Sequence, residues 1–196
     1  MDESYHVQIT TRALQGLFAN HALHAVIAAN LKQDSLRFQI GHPEIHFDDN
    51  LLKQGYAYLQ NQRDQILVAL SQRQVLPAWQ AFGRLTHGVQ DFYAHSNYIQ
   101  LWLENRPGAT PEQVEPLDEK CLESPRLITG KLYYPLEVLA FIPGLEPLVK
   151  PYLPRDSHTW MNLDSPRRGP LFDYAFSAAI KRTYAEYERI NGIIHS

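Results

Sequence analysis

Apolar and small side chains recur at helical spacing through Ile9, Ala13, Leu17, Ala28 and Leu31, which predicts one long first helix over residues 5–31. Asp2 and Glu3 stand where they complement the positive end of its dipole. The period breaks between Gln33 and Asn50. There Gly41, Pro43 and a group of Asp and His residues predict a loop, and Asn50 is the expected cap of a helix reaching Ser71. Residues 74–104 carry the strongest helical pattern, with Trp79, Phe82, Val89, Phe92 and Tyr93 on its apolar side. Pro77 fits its first turn, and Asn105-Arg106-Pro107-Gly108 stops it.

Nine of the 13 prolines fall between Pro107 and Pro154, which rules out long regular helices there. Within that stretch, Leu132–Leu153 holds too much apolar surface to be left in water. Two arrangements are open. The run covers the bundle, or a Pro143-Gly144 turn presents Phe141, Ile142 and Leu145 as a wall for acyl chains. Beyond Pro170, the series Ala175, Ala179, Thr183, Tyr187, Ile190 and Ile194 predicts a last helix whose small residues allow close packing. No alternating strand pattern or internal repeat occurs. The expectation is a single all-α domain over 1–196, a helical bundle with a Pro-rich, loop-rich excursion over 105–157.

Composition narrows the function classes. With 196 residues and 44% apolar side chains, the chain can bury a core without disulfides. Its 18 Lys and Arg against 21 Asp and Glu leave a formal net charge of −3, so no stable nucleic-acid partner is expected. Cys121 is the one cysteine and has no partner for a disulfide or a thiolate zinc site. The acidic start and the lack of a spanning apolar run predict a soluble chain, cytoplasmic or exported without a cleavable signal peptide.

Nine histidines change the picture. His87, Asp91 and His95 are spaced by four in the best-defined helix, so all three share one face. Gly83 stands one turn earlier on that side, leaving room for a close neighbour. Two imidazoles flanking a carboxylate suit zinc, and a central carboxylate can bridge two ions. An exposed polar stripe, or buried histidines with satisfied hydrogen bonds, would give the same spacing. A second group, His42, His46, Asp48 and Asp49, crowds the loop after Asp34, and imidazole and oxygen donors are the usual zinc set where cysteine is absent. His158 with Asn162 and Asp164 makes a third, and His6, His21 and His24 are weaker candidates.

The segment Gly83-Arg84-Leu85-Thr86-His87-Gly88-Val89-Gln90-Asp91-Phe92-Tyr93-Ala94-His95-Ser96-Asn97 resembles the signature of the Het-C-like branch of the zinc-dependent phospholipase C superfamily, which also contains single-strand-specific zinc nucleases. The resemblance implies an all-α bundle of the phospholipase C type with a three-zinc cluster at the bottom of a cleft. It assigns Asp34, His46, His87 and Asp91 to the first zinc, with His46-Phe47-Asp48-Asp49-Asn50 supporting the match, and His95 and His158 to the second. The stretch His6 to Leu14 resembles the one bearing a histidine ligand of the third. Two departures follow. The family's amino-terminal tryptophan is replaced by Met1-Asp2-Glu3, and its acidic residue four positions after the second-site histidine is Asn162. Asp164 or the Asn162 carbonyl oxygen is left to complete that site, so the expectation is two or three zinc ions.

The implied activity is zinc-dependent phosphoester hydrolysis, with phospholipid ranked above single-stranded nucleic acid and peripheral membrane contact as a corollary. Asp34 is expected as ligand or general base, and Asp91 as the bridging carboxylate. Asp48 or Asp49 would fix a ligand imidazole, and Asn97 would bind phosphate. The sequence has no Gly-rich phosphate loop or serine nucleophile elbow. The alternative is a zinc-binding interaction or toxin-like protein of the Het-C type that turns nothing over.

Overall fold

The helix expected over 5–31 is two helices, α1 (Glu3–Leu14) and α2 (Asn20–Leu31), in the computed structural model, which describes residues 1–39, 41–142 and 144–195. Gly16, at φ 85°, turns the chain between them in a conformation that a side chain resists. α2 runs through a 3-10 turn, Lys32–Asp34, into the short α3 (Leu36–Gln39). α4 (Leu52–Ser71) starts from Leu51. Asn50 does not cap it, because its backbone lies at φ 55° and its side-chain oxygen accepts from the Thr129 N–H at 3.1 Å. The pattern over 74–104 divides into α5 (Val75–His95) and α6 (Tyr98–Glu104), with Ser96 pairing to Thr129 at the break.

The prolines limit the excursion to single turns, α7 (Glu119–Leu122), α8 (Leu136–Ala140) and α9 (Glu146–Val149), and the one-turn α10 (His158–Met161) follows it. α11 (Leu171–His195) closes the bundle. The chain is thus all-α, and among the described residues there is no β-strand. Among the described residues, no helix is long and apolar enough to cross a membrane.

α5 is the axis of the bundle, with α2, α4 and α11 packed around it and α1 against α2 and α11. From Ala81 to His95 it is buried at every position except Arg84, as a helix surrounded by others must be. Close packing depends on small residues. A Cβ on Gly83 would stand 2.3 Å from the Val26 carbonyl oxygen of α2, and Ala175, Ala178 and Ala179 bring α11 in with no exposed surface. Arg63 of α4 and Arg182 of α11 share the buried carboxylate of Glu186. Cys121 is buried and free.

The excursion is pinned to the end of α5. The Asn97 side chain accepts from the Ile128 N–H and donates to the Arg126 carbonyl, each at 2.9 Å. The Asp49 N–H donates to the Gly130 carbonyl at 2.6 Å, and Lys131 pairs with Ser157. Only part of the apolar run covers the bundle. Val149 and Leu153 are buried, whereas Tyr134, Phe141, Ile142, Leu148 and Tyr152 are exposed. Pro143 of the expected turn lies outside the described residues, and Leu145 is half-buried.

Candidate metal centre

The four-residue repeat on α5 turns His87, Asp91 and His95 toward one buried spot, and five other segments bring ligand-type groups to it. α1 supplies His6, the 3-10 turn Asp34, the following loop His46 and Asp48, α10 His158, and the segment after α10 Asp164. Asp91 lies at the middle. Its Oδ2 is 3.0 Å from both His46 Nδ1 and His87 Nε2, and its Oδ1 is 3.2 Å from His6 Nε2. The backbone nitrogen of Met1 stands 2.6 Å from that same Oδ1 and 3.1 Å from Asp164 Oδ1. Asp34 reaches His87 Nε2 at 3.8 Å and His6 Nε2 at 3.9 Å. Around His95, Asp164 Oδ1 is 3.0 Å from Nε2, while Asp48 Oδ1 is 3.4 Å from Nδ1 and 2.8 Å from His158 Nδ1. Among the described residues, three triads have ligand atoms within 4.8 Å of one another: His6, Asp34 and His87; His46, His87 and Asp91; and Asp48, His95 and His158.

The imidazoles are held by acceptors that fix which nitrogen carries the proton. His6 Nδ1 lies 2.6 Å from Gln90 Oε1, and a carbonyl oxygen can only accept, so the ring donates there and keeps a lone pair on Nε2. Gln90 is itself oriented, because its amide donates to the Thr10 and Thr183 hydroxyls and its oxygen also accepts from Asn30. Asn30 Oδ1 faces His87 Nδ1 at 3.4 Å, the His46 carbonyl accepts from His95 Nδ1 at 2.7 Å, and Asp48 accepts from His158 Nδ1 at 2.8 Å. Such hydrogen bonds behind the rings are what metal-binding histidines require. Sequence reasoning passed over Asn30, Thr86 and Gln90. Their signal is a polar residue on an otherwise buried helical turn, with Thr86 and Gln90 four apart beside His87 and Asp91.

The remaining predicted residues are placed as follows. The Asn162 amide donates to the His158 and Thr159 carbonyls, and its Oδ1 is buried without a partner. Asp49 is exposed and faces the Leu132 N–H, so it does not serve an imidazole. Both ends of the Asn97 amide are engaged with the 126–128 backbone, which removes it as a phosphate-binding group. His42 is exposed beside Glu44, and His21 and His24 are exposed on α2. Gly130 lets the 129–131 segment press on α10, since a Cβ there would be 2.6 Å from His158 Cα.

The electrostatics suit a cation. Burial opposes charge on Asp91, yet the Met1 nitrogen and the surrounding histidines hold its carboxyl well below the usual range. Burial and the neighbouring Asp91 charge push Asp34 up. Burial drives His87 down to about 3, whereas at His95 the charges of Asp48, Asp91 and Asp164 overcome burial and raise it to about 10. Of the four carboxylates, Asp34 is the one pushed up, while the Met1 amino group and the histidines hold Asp91 and Asp164 well below the usual range and His158 and His95 lower Asp48. His6 Nε2, Asp34 Oδ2 and His46 Nε2 are buried with no hydrogen-bond partner. Unsatisfied lone pairs of nitrogen and oxygen in one buried spot fit a zinc-type ion.

Residues 2–108 match the VWA7 N-terminal domain model. Von Willebrand factor A domain-containing protein 7 of rat, mouse and human is 39% identical to this chain over 80 residues, which is 41% of the chain. The matched part spans 9% of the length of each of these relatives. No solved structure matches the chain. The family model covers more than half of the sequence, including α1, α2, α4 and α5 with their histidines and aspartates, and the chain belongs to the VWA7 N-terminal domain family.

Proposed function

We propose that the protein is a zinc-dependent phosphoester hydrolase similar to the zinc-dependent phospholipases C. One observation carries this reading: five histidines and four aspartates from six segments meet in a single buried spot, with His6 Nε2, Asp34 Oδ2 and His46 Nε2 left unpartnered there. His46, His87, Asp91 and Asp34 would hold one ion, and His95 and His158 with Asp164 or Asn162 a second. His6 would add a third position on Asp91. When bound, zinc supplies Lewis acidity toward a water molecule and a phosphoryl oxygen.

The chain's own residues do the rest. Gln90, Asn30 and Asp48 keep the imidazoles in ligating tautomers and orientations. Asp34 is the least enclosed group on the first triad, with 15% of its side chain exposed, and its raised pKa suits a carboxylate that takes a proton from an attacking water. Burial on α1 and α5 keeps bulk water from His6, His87 and Asp91.

Zinc titration of the purified protein, followed by parallel assay of phosphatidylcholine and single-stranded DNA, tests the reading. Zinc binding with lipid hydrolysis is expected. Absence of any transition-metal binding would sink it, and hydrolysis of DNA alone would reverse the substrate ranking. A non-catalytic zinc-binding protein is favoured by one feature, Asn162 where the related enzymes carry an acid. Zinc binding with turnover of neither substrate would select that alternative.

A further inference from the structure

α8 is built inside out. A short amphipathic helix on a protein surface ordinarily buries its apolar side, but here Glu137 is 0% exposed while Leu136, Val138, Leu139, Phe141 and Ile142 around it are all exposed. Glu137 has a clear reason to be inside: its Oε1 accepts from both the backbone N–H and the hydroxyl of Thr159 at 2.6 Å. That bond ties α8 to the residue following His158, and the Phe141 ring lies 5.5 Å from the His158 ring. The apolar face is therefore continuous with the candidate metal centre. It also holds eight of the 17 exposed large apolar side chains of the described residues, all within 134–152. Concentration at that level marks a contact surface.

The composition around the face indicates what covers it. Its edges carry exposed aromatics, Tyr134 at 66% and Tyr152 at 78%. Basic residues lie on the elements next to it: Lys150 and Arg155 stack on Trp160 in α10, Arg168 pairs with Glu146 of α9 and follows Arg167, which is exposed, and Lys131 precedes α8. Glu137 and Asp164 are turned inward, so residues 131–168 carry five bases against two remaining acids, Asp156 paired with Lys131 and Glu146 with Lys150 and Arg168, an excess of three positive charges on a chain of net charge −3. An apolar tip with aromatic flanks and a cationic border is the combination that seats in a phospholipid headgroup layer. Burial of the apolar side chains in the acyl boundary and attraction of the bases to anionic headgroups then add.

We propose that the α8 face, with Lys150, Arg155 and Arg167 at its border, docks on an anionic phospholipid surface and presents that surface to the metal centre. The proposal rests on the phosphoester reading for its purpose, but docking is measured without turnover. The protein is sedimented, metal-free and zinc-loaded, with vesicles of phosphatidylcholine alone and of equal parts phosphatidylcholine and phosphatidylglycerol. Binding in both metal states, stronger on the anionic vesicles and weakened by salt, is expected. Leu139→Ser with Ile142→Ser should lower vesicle partitioning by about tenfold or more, leaving zinc content unchanged. Leu148→Ser, at a residue 68% exposed, repeats the test should the double variant fold poorly. Arg155→Gln with Arg167→Gln should remove most of the preference for anionic vesicles. Failure of the wild type to bind either vesicle, or serine variants that bind like the wild type, would overturn the proposal. So would a wild-type dimer that Ile142→Ser converts to a monomer, since a second copy would then cover the face. Vesicle binding without zinc uptake would leave docking standing and remove the hydrolase reading.

Discussion

Gln90 Oε1 accepts from His6 Nδ1 at 2.6 Å, with both side chains fully buried and one helical turn separating Gln90 from Thr86 behind His87. One amide thereby joins the candidate ligand of α1 to the helix that carries three others. Gln90→Met keeps the volume and removes the acceptor. Zinc affinity at the His6 position should fall by about 10–100-fold, the range for losing an outer hydrogen bond to a ligand imidazole. Competition titration with a chelator reads this. Unchanged affinity would mean that His6 does not ligate.

Asp91 faces His6 with one oxygen and His46 and His87 with the other, so its loss should affect more than one ion. Asp91→Ala should lower the bound-zinc stoichiometry further than His158→Ala, because His158 stands with Asp48 and His95 alone and not between two groups of ligands. Elemental analysis of both proteins after identical loading decides, and equal losses would argue against a bridging carboxylate.

Glu186 gives a pH prediction away from the metal centre. Burial would raise its pKa, but the Arg63 hydrogen bonds and the charges of Arg182 and Arg63 depress it below the ordinary 4.5. A depressed folded pKa means that the stabilisation is complete above the unfolded value and is lost as pH falls through the folded one. Glu186→Gln leaves two buried guanidinium groups short of a counter-charge and should destabilise the fold by about 3–5 kcal/mol at neutral pH. The gap in melting temperature between variant and wild type should narrow below pH 4.5. A gap independent of pH would show that the loss is one of packing.

The metal face of α5 is legible in sequence because a four-residue repeat inside one helix fixes angular position without tertiary information. His46 and Asp34 are legible as residue types, but their placement depends on the turn after α2, which no local pattern specifies. The break between α1 and α2 is hidden because the apolar period runs on across Gly16, although the chain there must change direction. At α8 the sequence leaves cover and exposed wall both open, and the structure exposes Phe141 and Ile142 for a physical reason. Apolar residues favour burial, yet the Thr159 backbone and hydroxyl offer donors that draw Glu137 inward and leave its leucines outside. Asp49 and Asn97 have the composition of functional residues but hold the excursion instead, a use that only long-range pairing reveals.

Gly83 links the fold to the centre. In isolation, Gly→Ala in a helix interior should stabilise by about 1 kcal/mol, because alanine has the higher helix propensity. At this position the added Cβ would meet the Val26 carbonyl oxygen at 2.3 Å, Ala29 Cβ at 2.7 Å and the Asn30 nitrogen at 3.0 Å, so α2 must move as a body. Overpacking of that kind destabilises by about 1–3 kcal/mol, which outweighs the propensity gain. Asn30 bonds both Gln90 and His87, so displacing α2 also loosens the acceptors behind two candidate ligands. Gly83→Ala should therefore lower the melting temperature and the zinc affinity together. Arg84→Ala, one residue along at the single half-exposed position on the buried length of α5, should leave zinc affinity unchanged. Thermal denaturation and zinc titration of the two variants check this. A Gly83→Ala protein with wild-type melting and wild-type affinity would show that α2 does not need to approach so closely.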